Sequence, residues 1–396
     1  MASEPGSSAS AVVREAMAAL QRGDLRGAMA GLDAAIREHP VDPELRLHRA
    51  MVQRAAGNLP AALAELDAAL AIDPHFFLAL LSKGAVLERL GEQGAAALVY
   101  RDAIRIAPAG ASLPPALEAP LARARAVVEE DGRQLAAFLQ DQTAALRGSG
   151  TSAEMARFDE CLQILAGRKR VYHAEPVQLH VPRLPAIPFF ERSFFPWLPR
   201  LEAATAMIRA ELEALMAEGM PGFAPYIAYP PGAPLNQWET LNHNRDWSSL
   251  WLWRDGERQE EAIARCPGTA ALLAELPMAD QPGFAPTALF SALAPHTQIP
   301  PHSGSTNARL LVHLPLILPG PARFRVGNET REWRMGEAWC FDDSIEHEAW
   351  NEADRTRVIL IFDIWNPLLD ERERDLLSAL MRARTAWYAP NKKASP

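Results

Sequence analysis

The sequence predicts a multidomain α and β protein with the two classes segregated along the chain. An N-terminal α-helical solenoid is followed by a jelly-roll-like, cupin-like barrel, a double-stranded β-helix with flanking helices. Three observations predict this. Pro40, Pro74 and Pro108 stand 34 residues apart, as do Gly23, Gly57 and Gly91, then Ala28, Ala62 and Ala96, then Ala35, Ala69 and Ala103. Several position classes holding one period over successive copies mark a repeat. From Thr287 onward, short Val/Ile/Leu/Phe-rich runs are separated by Pro, Gly, Asn and Asp, the pattern of an all-β barrel or sandwich. Between the two halves, Gly148-Ser-Gly-Thr-Ser is the clearest break, a flexible joint by composition.

In chain order, residues 1–10 are polar and rich in Pro, Gly and Ser, without the apolar core of a signal peptide, and read as a disordered lead. Residues 11–147 read as the repeat domain. Each copy is two helices joined at Gly23, Gly57 or Gly91, where glycine takes the left-handed conformation that ends a helix. The alanines let paired helices approach closely, and the prolines stop the second helix of each copy. One copy cannot bury its own apolar face, so the copies must stack. Period and turn pattern resemble the tetratricopeptide repeat. Three copies run from Val12 to Pro108, and Pro115–Glu129 and Gly132–Arg147 read as two capping helices. Such an array implies a concave surface for a partner protein, or a dimerisation arm, with an inert spacer as the plain alternative.

Residues 148–152 are the expected linker and 153–390 the second domain, with its barrel core at 236–370 and a tail at 391–396. Helices are expected over Ala153–Gly167, Leu201–Gly219, Glu260–Leu276 and Glu371–Arg384. Strands are expected at Leu250–Trp253, Thr287–Ala294, Arg309–Leu318 and Arg357–Trp365. Another runs from Ala322–Val326 through Arg331–Trp333 and Ala338–Phe341.

The net charge of −9 and pI near 5.7 argue against a nucleic-acid binder. No apolar run reaches the length of a membrane span. Cys161, Cys266 and Cys340 have neither disulfide-framework nor zinc-site spacing, which fits a reducing compartment, and a cytoplasmic location is expected. No Walker loop or Rossmann fingerprint appears.

The chemistry gathers between Pro300 and Pro367. His302 lies in Pro-Pro-His-Ser-Gly-Ser-Thr-Asn and is expected in a turn, and His347 lies in Phe-Asp-Asp-Ser-Ile-Glu-His-Glu-Ala-Trp. A lone histidine is more often a satisfied core residue than a ligand. These two have Ser, Thr, Asp and Asn around them. Arg357 heads the apolar run Val-Ile-Leu-Ile-Phe-Asp-Ile-Trp, where an arginine is costly to bury unless an anion pairs with it, either Asp363 or a ligand carboxylate. Two imidazoles and a fixed cation on neighbouring strands suggest a metal site that also holds an acid. Neutral imidazoles suit iron, zinc and copper alike. The run Gly-x5-Asp-x-Ser-x2-His-x3-Asn from Gly336 resembles the second metal motif of cupins. Trp333, Trp339, Trp350 and Trp365 read as barrel core, with pocket lining as the alternative.

The block from Phe290-Ser-Ala-Leu through Arg309-Leu-Leu-Val-His-Leu, Gly327-Asn-Glu-Thr and Phe341-Asp-Asp-Ser to Pro367 resembles the aspartyl/asparaginyl β-hydroxylase family. These are ferrous, 2-oxoglutarate-dependent oxygenases, and the likeness extends over residues 236–370. The resemblance implies that His302 and His347 ligate Fe(II), with Gly304 where other oxygenases carry a carboxylate. It implies that Arg357 pairs with the distal carboxylate of 2-oxoglutarate as cosubstrate. Ser291 would hydrogen-bond that cosubstrate, His313 would contact it near the metal, Trp247 would line its pocket and Arg309 would face the substrate acid. Leu311 departs from the second basic residue common in the family, which leaves the substrate open.

The expected activity is that of a dioxygenase hydroxylating the β-carbon of aspartyl or asparaginyl residues in a protein, peptide or carrier-bound amino acid, with the repeats recruiting it. The same metal site would serve a lipid acyl-chain hydroxylase, or a halogenase if halide takes the open position at Gly304. A non-catalytic repeat adaptor is the alternative of another class.

Overall fold

A computed structural model describes residues 6–107, 114–147 and 151–388. The chain divides into two compact units, one ending at Arg170 and the other beginning at Val171.

In the first unit, the helices Gly6–Gln21 and Leu25–Glu38, Pro43–Ala55 and Leu59–Ile72, then Phe77–Leu90 and Gln93–Ile106 form the three predicted pairs. Gly23, Gly57 and Gly91 adopt φ of +81°, +78° and +82° at equivalent turns, as the left-handed helix end requires. Asp24 and Asn58 cap the second helices of the first two pairs by accepting from Gly27 N–H and Ala61 N–H. Ala28, Ala62 and Ala96 are fully buried where the helices meet.

Several expectations are corrected here. Residues 6–10 of the expected disordered lead belong to the first helix. The two capping helices are one helix, Pro115–Arg147. Gly132 does not break it: a Cβ there would lie 2.8 Å from the Ala166 carbonyl oxygen, so the glycine marks close approach of the following helix end. That helix, Ser152–Leu165, packs on the long one through Ala136, Leu162 and Ala166. The division therefore falls after residue 170, not at 148–152. Pro108, residues 148–150 of the linker and the tail 391–396 lie outside the described residues.

The second unit contains β1 (Ala224–Pro225), β2 (Trp247–Arg254), β3 (Glu257–Arg258), β4 (Ala288–Leu293), β5 (Thr297–His302), β6 (Arg309–Ile317), β7 (Ala322–Val326), β8 (Glu329–Glu332), β9 (Trp339–Phe341), β10 (His347–Asn351) and β11 (Arg357–Trp365). A seven-stranded sheet runs β1-β2-β4-β11-β6-β9 with β3 on β2, and a four-stranded sheet runs β5-β10-β7-β8. Every ladder between these strands is antiparallel, a jelly-roll-like arrangement.

Alternation along β11 sorts the side chains. Val358, Leu360, Phe362 and Ile364 join the core formed with helices Leu198–Ala203, Thr205–Ala217, Glu260–Arg265 and Pro267–Ala274. Arg357, Ile359, Ile361 and Asp363 take the opposite face, where Ile359 meets Phe324, Val326 and Ala349 of the smaller sheet. The expected helix Glu260–Leu276 is broken at Pro267, which lacks an N–H to continue it. The expected helix Leu201–Gly219 is two helices that meet at Ala204.

Two strands escape the sequence pattern. Pro300 and Pro301 disguise β5, which tolerates them because it is an edge strand. In β10 four of five residues are buried, so no polar alternation shows. Both strands carry a histidine of the candidate site.

Candidate active site

His302 closes β5 and His347 opens β10, and the register sets them directly opposite, so His302 ends a strand and does not sit in a free turn. Their ring centroids are 4.1 Å apart. Each Nδ1 meets the carbonyl two residues earlier, His302 with Pro300 at 2.8 Å and His347 with Ile345 at 3.0 Å. A carbonyl only accepts, so Nδ1 carries the proton and Nε2 keeps its lone pair. Burial lowers the pKa of His302. Burial also holds His347 well below the ordinary value, with His302 adding to the effect. Two neutral imidazoles with oriented Nε2 lone pairs are suited to ligate a divalent transition metal. Among the described residues, no group of three or more His, Cys, Asp and Glu side chains is placed to hold a metal ion.

The pair lines a cavity of about 330 Å³, and Trp247, Ser291, His313 and Arg357 line it too. Arg357 is 1% exposed. Its Nη1 donates to the Ser291 carbonyl at a long 3.4 Å, its Nε has no partner, and its guanidinium lies 4.7 Å from the Trp333 ring. Burial pushes its pKa down to about 9, the mark of a cation that the protein does not neutralise. The Ser291 hydroxyl accepts from Trp247 Nε1 at 3.1 Å, leaving its own O–H to donate. His313 is buried with Nδ1 unpartnered, its ring 4.6 Å from Phe341, and burial with Arg357 nearby pushes its pKa well down. A dianionic 2-oxo acid fits this set: Arg357 and the Ser291 hydroxyl would hold its distal carboxylate, and the histidine pair would hold the metal.

Arg309 is placed differently. It forms an ion pair with Asp363 and donates to the Phe284 carbonyl at 2.8 Å, in an adjoining cavity of about 190 Å³. Asp363 is therefore the partner of Arg309 and not of Arg357. Six residues of extended strand separate Arg357 from Asp363, about 20 Å, whereas the β6–β11 register sets Asp363 opposite Leu311 and Trp365 opposite Arg309. Tyr226, Thr287, Ser305, Leu311 and Asp343 line both cavities.

The position left bare by Gly304 is filled from another strand connection. A Cβ on Gly304 would lie 1.8 Å from Asp343 Oδ2, and Gly304 N–H donates to the Asp343 carbonyl at 2.6 Å. Burial, then Asp342, raise the Asp343 pKa to about 8. Two lining residues went unassigned. Trp238, in the short helical turn Asn236–Trp238, packs edge-to-face with His302 at 5.0 Å between ring centroids, and Tyr226 stacks on Trp247 at 4.0 Å. Both come from the proline-rich connection, where no periodicity points inward. Trp333 lines the cavity, while Trp339 packs in the inter-sheet core.

Residues 202–367 match the family model described as aspartyl/asparaginyl beta-hydroxylase. The match lies within the C-terminal unit. Residues 13–75 and 55–111 match the tetratricopeptide repeat model. The human protein named Aspartyl/asparaginyl beta-hydroxylase is 39% identical over 144 residues, which is 36% of this chain and 19% of that protein. The Ornithine lipid ester-linked acyl 2-hydroxylase of Rhizobium tropici is 34% identical over 200 residues, 49% of this chain and 66% of that protein. The chain thus spans about a fifth of the human relative and just under two thirds of the bacterial one. Among solved structures, the Sgt2 TPR domain from Aspergillus fumigatus is 23% identical, covering 33% of this chain and 85% of that chain with a TM-score of 0.28. Among the described residues, no helix is long and apolar enough to cross a membrane.

Proposed function

We propose that the β-hydroxylase unit is an Fe(II)- and 2-oxoglutarate-dependent hydroxylase, and that the repeats recruit a protein partner or pair two copies of the chain. Arg357 carries the reading: a buried guanidinium without a carboxylate partner, in the same cavity as two neutral, carbonyl-oriented histidines. Such a cation is costly until an anion arrives, so the cavity is complete only with an acidic ligand. Iron bound by His302 and His347 would supply the oxidising chemistry, in which a C–H bond, dioxygen and the oxo acid give an alcohol, succinate and carbon dioxide. The chain's own groups bind and orient: Arg357 and Ser291 fix the distal carboxylate, His313 presents a ring near the metal pair, and Trp238 and Trp247 wall the site from water.

The family name points to the β-carbon of an aspartyl or asparaginyl side chain as the oxidised position. The bacterial relative points to an acyl chain. The two differ in whether a second free cation is needed.

The reaction is tested by calorimetry under nitrogen with Fe(II) and 2-oxoglutarate, followed by succinate release on admitting oxygen. The expected result is one metal and one oxo acid per chain, with metal binding lost in both His302→Ala and His347→Ala. Intact 2-oxoglutarate binding in Arg357→Ala, or none in the native chain, overturns the proposal.

A further inference from the structure

Three buried side-chain nitrogens of residues that line the main cavity have no hydrogen-bond partner: Nε of Arg357, Nδ1 of His313 and Nε1 of Trp333. The proposed function gives Arg357 and His313 to the oxo acid and leaves the indole of Trp333 unexplained. An indole N–H can only donate, and a buried one normally finds an acceptor. Leaving that bond unmade is costly, so the orphaned donor points to a group that arrives with the ligand.

The ring is held in place by its neighbours, none of which takes the bond. Trp333 follows β8, and its backbone N–H donates to the Ala322 carbonyl at 3.2 Å. Its indole stacks on Phe324 at 5.5 Å and on Trp339 at 6.0 Å between ring centroids. Neither ring offers an acceptor. The guanidinium of Arg357, 4.7 Å from the centre of the indole, carries donors only. His313 lies 6.1 Å away, ring to ring, and its own Nδ1 is also without a partner. A donor locked by packing is already set when the ligand arrives.

Placement selects which end of the oxo acid it meets. Phe324 packs against both the Trp333 ring and the His347 ring, at 5.5 Å and 5.8 Å, so the indole stands one ring away from the histidine pair and directly beside Arg357. A carboxylate seated on that guanidinium therefore lies next to the indole, and the metal-facing end of the acid does not. The two oxygens of a carboxylate offer about four acceptor sites, which Arg357 and the Ser291 hydroxyl do not exhaust.

We propose that Trp333 Nε1–H donates to the distal carboxylate of the oxo acid, so that guanidinium and indole close on one anion. The identity of the anion rests on the hydroxylase reading, while the sharing of one carboxylate by Trp333 and Arg357 does not. The indole then has two tasks: its face lies against the guanidinium, and its N–H completes the ligand's hydrogen bonds. Trp333→Phe separates them, because the phenyl ring keeps a face and loses the donor.

The test uses the full chain. Its ten tryptophans give ten indole N–H resonances, and the one missing in Trp333→Phe is that of Trp333. In the metal-free native chain this resonance should move downfield, and its exchange with water should slow, on adding 2-oxoglutarate or glutarate. It should stay in place with 2-oxopentanoate, which lacks the distal carboxylate. Arg357→Met should abolish the shift. Under nitrogen with Fe(II), calorimetry should find 2-oxoglutarate weakened about tenfold or more in Trp333→Phe, with 2-oxopentanoate changed by less than about twofold. If that variant does not fold, through-space contacts of the indole N–H with the Phe324 ring assign the resonance in the native chain, and the shift is still read. An equal loss for both acids in Trp333→Phe, or an indole resonance unmoved by saturating glutarate and 2-oxoglutarate, overturns the proposal. A native chain that shows the indole shift with glutarate but takes up no 2-oxoglutarate with Fe(II) overturns the hydroxylase reading and keeps the shared carboxylate.

Discussion

Arg357 and Arg309 stand on adjacent, directly paired strands of one sheet, yet the protein treats them in opposite ways. Arg309 is closed into an ion pair with Asp363, which also accepts from Thr287 N–H at 2.8 Å. Arg357 is left with an unpartnered Nε and a long bond to one carbonyl. A buried charge that a fold neutralises serves the fold. A buried charge that a fold leaves open weakens the free protein and is explained by what binds it. The difference separates an arginine that the fold neutralises from one left open to a ligand.

The largest effect is expected on the closed side. Arg309→Met leaves Asp363 buried without its cation and should cost about 3–5 kcal/mol in denaturant unfolding at neutral pH. The pH dependence has a definite sign. Burial already raises the Asp363 pKa to about 6 while Arg309 holds it back, and losing Arg309 raises it further. An acid whose folded pKa exceeds its unfolded value favours the folded state at low pH and loses that contribution as pH rises towards the folded pKa. The deficit of Arg309→Met should therefore be greatest near pH 8 and shrink towards pH 5. A deficit independent of pH would mean that the pair is not what stabilises this corner.

The open side should respond in the opposite direction. Arg357→Met removes an unneutralised cation and keeps apolar bulk against Trp333. Ligand-free stability should rise by about 1–2 kcal/mol, the desolvation relieved exceeding the lost cation–π contact. Binding of 2-oxoglutarate should weaken by about 2–5 kcal/mol. Thermal unfolding with and without the oxo acid reads both quantities, and a variant that is less stable without ligand would show that Arg357 serves the fold after all.

What the sequence discloses about these two residues follows from the same physics. Arg357 is visible because a cation opening an otherwise apolar strand breaks the local pattern. His302 and His347 are visible through the polar residues around them. The repeats are visible because period, turn glycine and small-residue positions all repeat together. The pairing of Asp363 is not visible: alternation places it on the same face as Arg357, and only the register of β6 against β11 shows which arginine it meets. Asp343 filling the space beside Gly304 is likewise a contact between segments far apart in sequence. The aromatic residues Tyr226 and Trp238 come from connections without a period. The strand β5 is obscured because its prolines are acceptable only at a sheet edge, and edge position is a property of the assembled sheet.

The smallest expected effect tests whether the closed pair is needed at all. In Arg309→Met with Asp363→Asn, neither member of the ion pair is charged, and the asparagine carbonyl oxygen still accepts from Thr287 N–H. The penalty of either single change comes chiefly from the charge it strands, so the double variant should recover to within about 1 kcal/mol of the native chain. Its pH dependence should lose the Asp363 contribution. It should still bind 2-oxoglutarate through Arg357, since the two arginines occupy different cavities. It should not gain an aspartyl ligand, because no cation has been freed, whereas Asp363→Asn alone should. Equal gain in both variants would mean that removal of the negative charge admits the acid, and not the release of Arg309.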